Sequence, residues 1–203
     1  MFPTSEIRWF NKGQLPEDML QWFYNHPGKP EEKAERTDYY LLHTGPSLGI
    51  KLREGKIEIK QRKTQMGIME FMNQQEGFAE QWGKWSFSID EENPDIIPLI
   101  RPSSDWLPVT KKRFLLRYAW EHERIFPVST DAQYMQACDT ELSVIHCNDE
   151  TWWSLCFEAF GREGQNTKKL KQVTSWLFDP PAPQHFESGH SFAYPYWLSL
   201  VLQ

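Results

Sequence analysis

Cations alternating with aliphatic residues are the first chemistry-bearing pattern in this chain. In SLGIKLREGKIEIKQRK, residues 47–63, Lys51 and Arg53 share one face of an extended run and Ile50 and Leu52 the other, since side chains alternate along a strand. Past Gly55, the residues Glu58, Lys60 and Arg62 oppose Ile57 and Ile59. The arrangement recurs in KKRFLLRYAWEHER, where Arg113, Leu115, Arg117 and Glu121 face away from Phe114, Leu116, Tyr118 and Trp120. Two further alternating runs carry carboxylates: Glu6 beside Arg8 and Phe10 in SEIRWF, and Glu158 between Cys156 and Phe160 in CFEAF. Guanidinium forks and ammonium point charges suit phosphate oxygens, and carboxylates suit a hard divalent ion. Such charged faces either look out at water from a half-solvated antiparallel sheet or line a polar interior. A closed barrel of about eight strands holds a small ligand in that second way. Mostly basic faces on several strands of an acidic chain favour the interior.

The bulk numbers narrow the classes. A chain of 203 residues has length for one domain with a real core. A net charge of −6 excludes a general nucleic-acid binder and confines any polyanion site to a local concentration of cations. Three cysteines, Cys138, Cys147 and Cys156, make an odd set without close pairing, which points to a reducing compartment and to small buried side chains. With no apolar leader and no run near the ~20 residues of a membrane span, the expectation is a soluble, cytoplasmic protein.

Other constellations lack the context their chemistry needs. GPSLG, residues 45–49, has the G-x-S-x-G spacing but leads into a strand rather than the helix a nucleophile elbow requires. HERIF, from His122, places Phe126 where a second zinc-binding histidine must stand. Glu121, His122 and Glu123 read as a strand end in solvent, KKR at 111–113 as a solvated strand start, and KKLK at 168–171 as the polar side of a helix. WGKW and YPYW offer rings that stack on ligands, yet in a chain with ten tryptophans they read as core.

The elements that must position these residues follow from period and punctuation. SEIRWF and YYLLHT are predicted strands, and LPEDMLQWFYNHPG a short helix entered at Pro16 and stopped at His26-Pro27-Gly28. KPEEKAERTD reads as a solvated loop, MGIMEFMNQQEGFAEQW as a helix, and GKWSFSID as a strand. Residues 90–108, with four prolines, read as loop. TELSVIH and ETWWSLCFEAF form a hairpin about CND, TKKLKQVTSWLF is an amphipathic helix ended by DPPAPQ, and the aromatic tail packs back on the body. The sum is a single α+β domain over 1–203 with at least seven strands, mostly antiparallel, curved or closed into a barrel with helices packed outside.

LGIKLREGKIEIKQRK resembles the central hairpin of the CYTH superfamily, the triphosphate tunnel metalloenzymes, in which an L-x-[LI]-[RK]-[LI]-R strand turns into a strand ending in lysine. The order of the other pieces is similar over residues 5–180. The resemblance implies an eight-stranded antiparallel tunnel that binds the triphosphate of a nucleotide, thiamine triphosphate or inorganic triphosphate. It implies Lys51, Arg53, Lys60, Arg62, Arg113 and Arg117 as phosphate ligands, Glu6 and Glu158 as ligands of Mg²⁺ or Mn²⁺, and metal-dependent hydrolysis. The first strand departs from the family's E-x-E-x-K: Arg8 stands at the second glutamate and Phe10 at the lysine. Arg8 there favours a bound anion and supplies no oxygen to a metal. The expected function is binding of a small phosphate-rich ligand, with hydrolysis as a further step. The alternatives are a non-catalytic binding or scaffold protein with solvated charged faces, and a lipocalin-like barrel for apolar ligands, which charged interior positions disfavour.

Overall fold

The fold is described from a computed structural model, over residues 2–90, 105–121, 124–161 and 164–202. Among these residues nine strands run β1 (Phe2–Lys12), β2 (Glu31–Leu41), β3 (Leu48–Arg53), β4 (Lys56–Glu70), β5 (Glu76–Ser88), β6 (Trp106–Glu121), β7 (Arg124–Val128), β8 (Ala137–Cys147) and β9 (Glu150–Phe160). The helices are α1 (Glu17–Tyr24), α2 (Asn166–Leu177) and α3 (Tyr194–Val201). Neighbours follow the order β2-β3-β4-β5-β1-β9-β8-β6, and β2 pairs back onto β6. Eight antiparallel strands thus close into a barrel. β7 pairs with the far half of β6, past its ladder with β2.

Alternation along the strands sorts the two faces. Ile7 and Trp9 of β1, Phe114, Leu116 and Tyr118 of β6, and Trp153, Leu155 and Phe157 of β9 point outward and are buried. Met19, Trp22 and Phe23 of α1 and Leu170, Val173 and Leu177 of α2 cover them. The barrel wall therefore carries its apolar face outside, beneath helices, and its polar face inside. Phe178, edge-to-face, and Phe186, tilted, complete an aromatic cluster around Trp9.

The tail does more than pack back. Residues 186–192 fill the wedge where β1 and β5 diverge: Glu76 N–H donates to Phe186 O, Phe78 N–H to Ser191 Oγ, and Phe192 N–H to Arg8 O. α3 then closes one end of the barrel. Trp197 and Leu198 sit with Phe10, Tyr40, Val109 and Ile145, all buried, and Phe10 stacks between Phe192 and Trp197. Among the described residues the interior is a cup with this end filled.

Several segments differ from expectation for physical reasons. KPEEKAERTD is no loop: from Glu31 onward it belongs to β2, held by its ladder to β6 and by cross-strand charges such as Lys112 with Glu32 at 2.6 Å, rather than by apolar alternation. MGIMEFMNQQEGFAEQW is no helix: it is the β4–β5 hairpin, turned at Asn73 and Gln74 with positive φ. Gly77 lies under the side chains of Ile7 and Trp9, where a Cβ would come within 2.5 Å of Ile7 Cγ2, so only glycine leaves those side chains room there. Trp106–Pro108 begin β6 rather than ending a loop, while the loop expected over 91–104 and the solvent position expected for His122 and Glu123 lie outside the described residues. No helix among the described residues is long and apolar enough to cross a membrane.

Candidate functional site

The cup holds a cavity of about 670 Å³. Among the described residues its lining has eight cations, Arg8, Arg36, Lys51, Arg53, Lys60, Lys84, Lys111 and Arg113, against five carboxylates, Glu6, Glu58, Asp139, Glu141 and Glu158. In a chain of net charge −6 this is a local reversal of sign. Each cation comes from an inward position of a strand, so the spacing of two that makes the sheet amphipathic also gathers the charge.

At the closed end, three cations share one carboxylate. Asp38 of β2 is fully buried; Arg36 approaches its Oδ1 at 3.0 Å, and Lys51 and Lys111 its Oδ2 at 2.9 and 3.5 Å. Burial alone would raise the Asp38 carboxyl, but Lys111, Lys51 and Arg36 together hold it well below the usual carboxylate range. Lys111 also donates to Tyr40 Oη at 2.5 Å and lies 3.8 Å from the centre of the Tyr194 ring. Burial, then the neighbouring Lys51, pushes its ammonium well below the ordinary lysine range. Arg8 donates to Glu141 and to Ser154 Oγ, each at 3.0 Å. Against the effect of burial, Arg8, Arg113 and Lys111 lower Glu141 to about 2.

Nearer the mouth, four carboxylates stand in one row across adjacent strands. Glu6 lies opposite Glu80 of β5 on one side and Glu158 of β9 on the other, and Glu158 lies opposite Asp139 of β8. Cations interleave with the row. Arg62 donates to Glu80 at 2.7 Å, Lys84 contacts Glu158 at 2.5 Å, and Lys60 contacts Glu6 while lying 3.9 Å from Glu158. Burial opposes ionisation of Glu158, yet Lys84 and Lys60 hold its carboxyl far below the usual range. Arg117 forks onto Asp139 at 2.6 and 3.0 Å and donates to Thr130 O and Ala132 O at 2.7 and 3.1 Å.

Seven of the nine residues singled out by sequence therefore line the cavity: Glu6, Arg8, Lys51, Arg53, Lys60, Arg113 and Glu158. Arg62 and Arg117 do not; their donors hold Glu80, and Asp139 with the loop after β7. Sequence reading missed Arg36, because β2 looked like a loop, and Lys84, which directly faces Lys60 across the β4–β5 ladder. It also took Lys111 for a solvated strand start. Lys111 is 3% exposed, and its signal was its shared parity with Arg113. Tyr194 of YPYW lines the cavity too. The three cysteines are free and buried; burial first, and then nearby carboxylates against Arg8, keeps the Cys156 thiol protonated beside the cavity.

Three donors matter for a ligand. Arg36 Nε, Arg53 Nε and Arg113 Nε are buried with no hydrogen bond among the described residues, Arg36 Nε despite lying 3.0 Å from Asp38 Oδ1. Arg113 reaches Glu141 only at 3.7 Å. All three side chains line the cavity, so an anion entering it meets guanidinium groups whose donors are not all spent. For a divalent ion the donor set does not fit. Such an ion takes about six oxygen ligands, whereas Glu6 and Glu158 already face Arg8, Lys60 and Lys84. Among the described residues no group of three or more His, Cys, Asp and Glu side chains is placed to hold a metal. A scan of the chain against protein-family models finds no match, and a search of curated proteins finds none either.

Proposed function

We propose that the cup binds a small phosphate-rich anion, of the size and charge of a triphosphate or nucleotide, through Arg53, Arg113, Lys51 and their neighbours. The observation that carries this reading is the excess of cations over carboxylates among the described residues around the cavity, with three guanidinium Nε–H groups there making no hydrogen bond. A buried donor without an acceptor is destabilising by about 1–3 kcal/mol, so a ligand that supplies oxygen acceptors relieves that while neutralising the local charge. The resemblance of the β3–β4 hairpin to that of the triphosphate tunnel superfamily points the same way, and we extend it to a divergent kinship of fold. A scaffold with solvated charged faces is disfavoured by the inward direction of those faces. Hydrolysis of the bound phosphates is not part of this reading, because each carboxylate that lines the cavity among the described residues is held in an ion pair with an arginine or lysine.

Thermal unfolding in EDTA with tripolyphosphate, ATP or thiamine triphosphate tests the reading. A ligand at a hundredfold its Kd adds about 2.7 kcal/mol, a rise of about 5–10 °C in Tm for a chain of this size. Arg53→Ala and Arg113→Ala should each weaken the best ligand about tenfold and leave the Tm of the free protein nearly unchanged. If no polyanion raises Tm, the cavity is not an anion site.

A further inference from the structure

Glu6 and Glu158 are directly opposed on neighbouring strands and share one wall of the cavity. Like charges so placed repel and need a compensating cation. One route is a divalent ion bridging the two carboxylates. Here the space between them is taken by side chains. Lys60 Nζ contacts Glu6 Oε2 and lies 3.9 Å from Glu158 Oε1, while Lys84 Nζ lies 2.5 Å from that same Glu158 oxygen. The remaining Glu6 oxygen faces Arg8 Nε at 3.5 Å.

We infer that the Lys60 and Lys84 ammonium groups are the built-in counter-ion of the Glu6–Glu158 pair, so that the cavity takes its phosphate-bearing ligand without a divalent metal. Two ammonium groups supply the two positive charges that one such ion would bring. They come from facing positions of one ladder, Lys60 of β4 opposite Lys84 of β5, and so arrive together with the fold. Trp82 fixes the first of them: its ring centre lies 5.0 Å from Lys60 Nζ. A tethered ammonium cannot exchange with solvent as an ion does. The compensation is therefore present before any ligand arrives and is insensitive to chelators. This rests on the proposed anion site only for the ligand; the assignment of the counter-ion rests on the carboxylates and lysines alone.

The test uses Mn²⁺ alone, followed by the loss of the aqueous Mn²⁺ resonance on binding, and separately tripolyphosphate with EDTA or with Mg²⁺. The wild-type protein should leave millimolar Mn²⁺ free. Lys60→Met should bind it weakly, and Lys60→Met with Lys84→Met about tenfold more tightly, each losing the binding when Glu158→Gln is added. Far-ultraviolet circular dichroism and a cooperative melt check that the variants fold. Should the double variant fail to fold, Lys60→Met and the wild-type measurement decide. Mn²⁺ binding by the wild-type protein that Glu158→Gln abolishes would overturn the assignment, as would folded lysine variants that leave Mn²⁺ free. Tripolyphosphate should raise the wild-type Tm equally with EDTA and with Mg²⁺, and a rise seen only with Mg²⁺ would overturn it too. A Tm unmoved by tripolyphosphate in both conditions defeats the anion reading, while the Mn²⁺ arms still decide the counter-ion.

Discussion

Asp38 carries more of the interior than its single charge suggests. It is fully buried and holds Arg36, Lys51 and Lys111 in place. Asp38→Asn leaves those cations without their carboxylate, and the expected loss is about 3–5 kcal/mol in urea unfolding, the size seen when one member of a buried ion pair is removed. His26 gives a pH signature on the outer side of the wall. Its ring packs on Trp22 with centroids 4.3 Å apart, its Nε2 is buried without a hydrogen-bond partner, and burial lowers it to about 4. The unfolded chain, with an ordinary histidine near 6.5, binds more protons between about pH 4 and 6.5, so stability falls as pH drops through that window. His26→Phe should flatten this part of the stability–pH curve. Below it, the depressed Glu141 and Glu158 give a further loss that His26→Phe leaves intact.

At the scale of elements, the β4–β5 hairpin and α3 decide the shape of the site. Gly77→Ala forces a methyl group onto Ile7 and Trp9, and a loss of about 1–3 kcal/mol is expected. Trp197, fully buried at the closed end, should cost about 3–5 kcal/mol when cut to alanine. Strands with clean alternation, such as Leu48–Arg53 and Glu150–Phe160, were legible because period two leaves its mark wherever one face is greasy. β2 was not, because both its faces are polar along Glu31–Asp38 and its strand character resides in hydrogen bonds to β6. The β4–β5 hairpin was misread because Met66, Ile68, Met69 and Phe71 mimic a helical stripe when their partners on β5 are unseen. Seven of the nine candidate site residues could be named because parity assigns a side chain to a face. Arg62 and Arg117 share that parity, but their local acceptors, Glu80 and Asp139, come from other strands that no local pattern reveals.

For the whole molecule, the sign of charge differs between inside and outside. The cavity is rich in cations, while the chain as a whole has a net charge of −6. Salt screens charges over about 8 Å at physiological ionic strength. Raising ionic strength from about 0.05 to 0.5 M should therefore weaken tripolyphosphate binding roughly tenfold, which calorimetry at several salt concentrations would measure. The aromatic stopper made by α3 gives the barrel a dead end, with Tyr194 and Pro195 on the cavity wall. Nothing threads out past that plug. If the proposed anion site takes a long polyphosphate, α3 stops it from passing through that end, so each encounter would be a separate event rather than a walk along the chain.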